Sequence, residues 1–111
     1  MPFGNMSTDI RQALTTNAQI VAGYGTFLGF DWFNASAATA WVFIYDTATT
    51  PTVGSTTGLI YQKGLPAGAG SNEVFPAGGR AFQLGLWIGV SSSATTSGAP
   101  GTGLTLTTMF S

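Results

Sequence analysis

The sequence predicts an all-β chain: a single β-sandwich or jelly-roll-like domain behind a short N-terminal arm. Large and small or polar residues alternate with period two through much of residues 19–111. Gly, Pro, Ser and Thr gather between the alternating runs, where turns are needed. No long stretch carries the 3.6-residue period of a packed helix. At 111 residues there is room for one domain.

Residues 1–18 read as the arm. Ser7-Thr8-Asp9 can cap a turn of helix running through Leu14, with Asn17 as its end. Phe3, Met6, Ile10 and Leu14 fall at helical spacings, so they would share a face that has to be covered. The chain's own core or a neighbouring subunit can cover it.

From Gln19 to Phe33 the even positions run Ile20, Ala22, Tyr24, Thr26, Leu28, Phe30 and Trp32, with glycines and Asp31 between them. That is a strand with one packed face. The run is long for one strand, so a bend or break is expected near Gly25. Trp32 shares the face of Leu28 and Phe30 and is assigned to the core. Thr39–Asp46 is apolar on both faces and reads as a central strand. Residues 46–57, with Pro51 and Gly54, form a loop. Leu59–Lys63 is a short strand, and residues 64–70 are a glycine-rich turn.

Glu73–Phe75 pairs briefly. Arg80–Val90 then alternates, with Phe82, Leu84, Leu86, Ile88 and Val90 on one face. Trp87 lies on the opposite face between Gly85 and Gly89. A large ring flanked by glycines suits an anchor against another layer or subunit. Residues 91–103 form a Ser/Thr/Gly-rich loop, and Leu104–Phe110 is the last strand. Residues 19–111 therefore constitute the sandwich domain.

Composition narrows function. Charged residues make up 6% of the chain, with three basic and four acidic side chains. Polarity comes from Ser and Thr, 26 together, and from 16 glycines. Such a surface desolvates without stranding charges, which suits a protein covered by others in its working state. With three scattered cations the chain cannot track a phosphate backbone, so nucleic acid is not expected as a partner. No apolar run is long enough for a transmembrane helix, and no signal peptide or lipidation motif is evident. Synthesis in a cytoplasm is the expectation.

The chain has no His and no Cys. Ser/His/Asp and Cys/His catalysis are thereby excluded. Lys63 lacks a Ser–Lys motif. Asp31, Asp46 and Glu73 are the acids left for a carboxylate pair, with Asp31 foremost. Gly-Tyr-Gly, Gly-Ala-Gly and Gly-Thr-Gly do not extend to a nucleotide-binding fingerprint. No catalytic residue, metal site or cofactor is expected. Asn5-Met6-Ser7 and Asn34-Ala35-Ser36 match the glycosylation sequon by chance. Trp32, Trp41 and Trp87, with Tyr24, Tyr45 and Tyr61, can be read as a sugar-stacking platform or as core and interface anchors.

Several runs carry a resemblance: TAWVFIYD at 39–46, GLIYQKGLPAGAG at 58–70, FPAGGRAFQLGLWIGVSSSATT at 75–96 and GLTLTTMF at 103–110. Over residues 19–111 the chain resembles small β-sandwich structural proteins of tailed bacteriophage virions, of the decoration or cement type. The resemblance rests on a Trp-bearing strand at 40–46, a Gly-Arg turn and aromatic at 76–82, and the Gly-Leu-Trp-Ile-Gly-Val-Ser strand at 85–91. It implies a non-enzymatic virion component on the capsid surface. The implied partner is the major capsid protein or another virion protein, and the implied self-assembly is a homo-oligomer, a trimer by preference. The alternative is a tail, baseplate or fibre module that binds a host-surface glycan. The residues assigned to protein interfaces are Phe3, Met6, Ile10, Leu14, Trp87 and Phe110.

Overall fold

The computed structural model describes residues 6–12, 14–75, 79–98, 100 and 104–111, so Phe3 lies outside the described residues. The strands are β1 Ser7–Gln12, β2 Asn17–Ala22, β3 Gly25–Asn34, β4 Ala40–Asp46, β5 Leu59–Leu65, β6 Ala69–Val74, β7 Arg80–Phe82, β8 Gly85–Ser91 and β9 Leu104–Phe110. They form two antiparallel sheets. Sheet A has the order β1-β9-β3-β6, with β7 also on β3, and sheet B has the order β2-β8-β4-β5. With the three-residue β7 set aside, this is the strand order of a jelly-roll sandwich, two Greek keys wound together.

The expected N-terminal helix is corrected. Residues 7–12 are β1, paired with β9 from Ser7 opposite Phe110 to Gln12 opposite Thr105. A helix this short has too few hydrogen bonds to offset its nucleation. Pairing with β9 satisfies the same backbone groups, and the β-branched Thr8 and Ile10 suit a strand. The helical spacing of Met6, Ile10 and Leu14 therefore defines no common face.

The expected break near Gly25 falls at Gly23, whose φ is +89°. The Arg80–Val90 run also breaks, at Gln83-Leu84, and this corrects its reading as one strand. The two breaks face each other. Ala22 lies opposite Gly85 in sheet B, Gly25 opposite Phe82 in sheet A, and the Gly23 N–H donates to the Leu84 carbonyl at 3.2 Å. One two-stranded ribbon thus turns a corner from sheet B into sheet A without losing register. The bend puts Tyr24 and Leu84 outside, so Leu84 leaves the buried row to which its alternation assigned it.

The alternation in β3 is interrupted too. A bulge between Phe27 and Gly29 inserts one residue against β9. Phe27 and Phe30 consequently both enter the core, their rings stacked at 6.3 Å. Gly29 has φ +143°, and a Cβ there would stand 2.1 Å from the Glu73 carbonyl oxygen. Only glycine fits that close approach.

Between the sheets lie Phe27, Phe30, Trp32, Ile44, Leu86 and Ile88, all buried. Trp32 is thus a core residue, as its face predicts. β4 sits between β8 and β5, the central place its two apolar faces predict. Val42 and Ile44 point into the core, while Trp41, Phe43 and Tyr45 point to the outside of sheet B.

Candidate functional site: the outer faces of the sandwich

The two sheets solve the problem of their outer faces differently. On sheet B the chain covers itself. Phe43, Tyr45 and Val53 form a second small core, with Trp41, Leu59 and Trp87 packed on it. Val53 comes from the β4–β5 connection, which folds back over the sheet. The Tyr45 hydroxyl anchors that loop. It accepts from the Gly54 N–H at 3.1 Å and faces the Ser55 and Thr52 carbonyls at 2.9 and 3.2 Å.

Trp87, expected as an anchor against another layer or subunit, is half-buried and packs on this cluster. The layer it meets is its own chain's loop, and its indole N–H is buried with no acceptor among the described residues. Gly89 is small because Val53 sits over it, and Gly85 because the Thr47 carbonyl does. Trp41 lies across Gly64 on the neighbouring strand. With Trp32 in the core, the tryptophans do not form a common sugar platform. The loop does frame an open cleft of about 260 Å³, lined by Thr47, Thr49, Thr50, Thr52, Ser55 and Thr57 together with Pro51.

On sheet A the described residues leave the outer face bare. Strand pairing sets out its rows, because opposed residues share a face. Thr8, Met109, Gly29 and Val74 lie in one row. Ile10, Thr107, Asp31 and Asn72 form the next, and Gln12, Thr105, Phe33 and Gly70 the third. Ile10, Phe33 and Val74 are 65%, 49% and 63% exposed. Asp31 is the charged side chain in these rows, and it accepts a hydrogen bond from Asn72. The face is otherwise apolar side chains, hydroxyls, the Gln12 and Asn72 amides and backbone.

The predicted interface residues divide accordingly. Ile10 is on the bare face, and Met6 is exposed just ahead of β1. Leu14 and Phe110 are half-buried and pack against the main core. Sequence reasoning missed Phe33, Val74 and Met109. Phe33 had a legible signal, an aromatic on the side of β3 opposite Phe30 and Trp32.

Most of the remaining charges have partners on the chain, while Arg80 is exposed. Arg11 donates to Asp9 through Nε at 2.7 Å and Nη2 at 3.1 Å. That hydrogen bond holds the guanidinium charged, raising its pKa further. Lys63 lies 3.7 Å from Glu73, which also accepts from the Trp32 indole at 3.4 Å. Asp46 receives the N–H groups of Gln83, Leu84 and Gly85 at 3.0, 2.8 and 3.4 Å and so pins the corner. Each of Asp31, Asp46 and Glu73 thus has a polar partner of its own. Asn34 is fully buried, donates to the Leu65 and Ala38 carbonyls, and accepts from Ser36. Its sequon is closed by burial. Asn5 lies outside the described residues.

Compared with known protein families, with curated proteins and with solved structures, the chain matches none.

Proposed function

We propose that this chain is a non-enzymatic virion structural protein that decorates and cements an assembled phage head, docking on the shell through the outer face of sheet A. The observation that carries this reading is the make-up of that face. Exposed Ile10, Phe33 and Val74 stand among Thr8, Thr105 and Thr107, and Asp31 is already engaged by Asn72. Desolvating it buries a single carboxylate, Asp31, which keeps its hydrogen bond from Asn72. Sheet B, by contrast, has its apolar outer residues under the β4–β5 loop.

The mechanism is mass action on a repeating surface. Each copy binds the assembled lattice and not the loose subunit, so binding stabilises the assembly. Modest contacts repeated over neighbouring sites add up through effective concentration. The jelly-roll order also serves viral capsid and lectin domains, which supports the reading by analogy. The partner is the major capsid protein or another virion protein. The fibre reading is less favoured because Trp32 and Tyr61 pack in or against the main core and Trp41, Tyr45 and Trp87 in the small cluster on sheet B.

The test is co-sedimentation with emptied heads assembled from the shell protein of the same genome. The native chain pellets at fixed stoichiometry. Val74→Lys and Phe33→Ser, with unchanged circular dichroism, stay in the supernatant. If the native chain itself stays in the supernatant, the reading is overturned, and glycan arrays then address the fibre alternative.

A further inference from the structure

Sheet A ends on β1. β9 pairs with one side of it, and no described strand pairs with the other. An unpaired strand edge is a template for another strand, and proteins usually disarm it with Pro, Lys or a bulge. β1 reads Ser-Thr-Asp-Ile-Arg-Gln, with neither Pro nor Lys, and its pairing with β9 has no register shift. It carries an acid and a base two residues apart on the same face, so its charges cancel.

We propose that β1 pairs antiparallel with β1 of a second copy of this chain, about a two-fold axis at Ile10. Asp9 then faces the partner's Arg11, and Arg11 faces the partner's Asp9. Sheet A becomes continuous across the two copies.

Parity and charge select this register. Opposed residues in an antiparallel pair point to the same face. A two-fold axis normal to the sheet keeps outer face beside outer face, so Thr8, Ile10 and Gln12 must oppose one another, and Asp9 and Arg11 likewise. Centring the axis on Asp9 sets two carboxylates together. Centring it on Arg11 sets two guanidinium groups together. Centring it on Ile10 gives two Asp–Arg pairs, sets Ile10 on the partner's Ile10 and Thr8 on the partner's Gln12.

Side-chain chemistry fits. Ile10 is 65% exposed and gains an apolar neighbour. Arg11 engages Asp9 through Nε and Nη2, and a guanidinium has further N–H donors for a second carboxylate. An inward-facing charge pair also protects an edge from indiscriminate pairing. Here protection and selection coincide, because a slip to either neighbouring face-matched register brings like charges together. The result is a dimer, in place of the trimer expected from the sequence.

The test is sedimentation equilibrium of the full chain over a concentration series. The native chain goes from one to two copies. Asp9→Arg and Arg11→Asp each weaken self-association by at least about tenfold, because each juxtaposes like charges. An equimolar mixture of the two variants recovers a heterodimer, and the doubly exchanged chain recovers a homodimer. A cross-link reads the register independently of charge. The chain has no cysteine, so Ile10→Cys self-links on oxidation, while Thr8→Cys and Gln12→Cys link to each other and not to themselves. A native chain that stays monomeric, a trimer, or a dimer indifferent to the reversals with no Ile10→Cys cross-link overturns the proposal. Val74→Lys, which probes shell docking, leaves the dimer intact, so failure there does not bear on this pairing.

Discussion

Gly89 leaves the space on sheet B that Val53 fills: a Cβ built at Gly89 would stand 2.7 Å from Val53 Cγ2. The contact ties the β4–β5 loop to the middle of β8, and it explains why Trp87 has a glycine beside it. An Ala at position 89 must push the loop away or distort the sheet. Gly89→Ala is expected to destabilise by about 1–3 kcal/mol, the usual cost of overpacking. Urea unfolding measures the loss, and amide exchange across residues 52–57 rises with it. A variant as stable as the native chain would mean the loop does not rest on β8.

Tyr45 holds the same loop from below. Burial pushes its phenol above the ordinary value of 10.0, against the smaller opposing effect of the Gly54 N–H. Burial also raises Tyr61, helped by the nearby Glu73 carboxylate. The unfolded chain therefore releases these protons at lower pH than the folded one. The stabilisation is intact below pH 10 and is lost as pH rises through the folded values. Alkaline unfolding followed by phenolate absorbance should show ionisation arriving with unfolding. Tyr45→Phe leaves the Gly54 N–H without its acceptor, a cost of about 1–3 kcal/mol, and shallows the alkaline decline.

Asn34 ties the turn at residues 36–38 to Leu65 through one amide. Asn34→Ala strands the buried Leu65 carbonyl and frees Ser36, and is expected to cost about 1–3 kcal/mol. Expression in a glycosylating host gives a direct check. Mass spectrometry should find Asn34 unmodified in folded protein, and a glycan there would contradict its burial.

Asp46 accepts from consecutive N–H groups at the corner where the ribbon changes sheets. Asp46→Ala removes the acceptor and is expected to cost about 1–3 kcal/mol. Asp46→Asn keeps a side-chain oxygen for the Leu84 N–H and loses less. Amide exchange at residues 83–85 separates the two. Equal protection in the alanine variant would show that the corner holds without its pin.

The sequence by itself determined the class of fold, the central place of β4 and the core role of Trp32. Period-two alternation and glycine punctuation are local properties, and burial on one or two faces is written directly into them. Low charge likewise fixed a surface poor in ionisable side chains. What only the tertiary structure decided were the places where distant segments meet. Ser7–Gln12 is a strand because β9, almost a hundred residues later, offers an unpaired edge. Phe27 joins Phe30 in the core because a bulge shifts the phase of β3 against β9. Trp87 is covered because a loop from between β4 and β5 reaches β8. Each is a pairing between chain segments far apart in sequence, and the periodicity of one strand holds no record of what lies across from it.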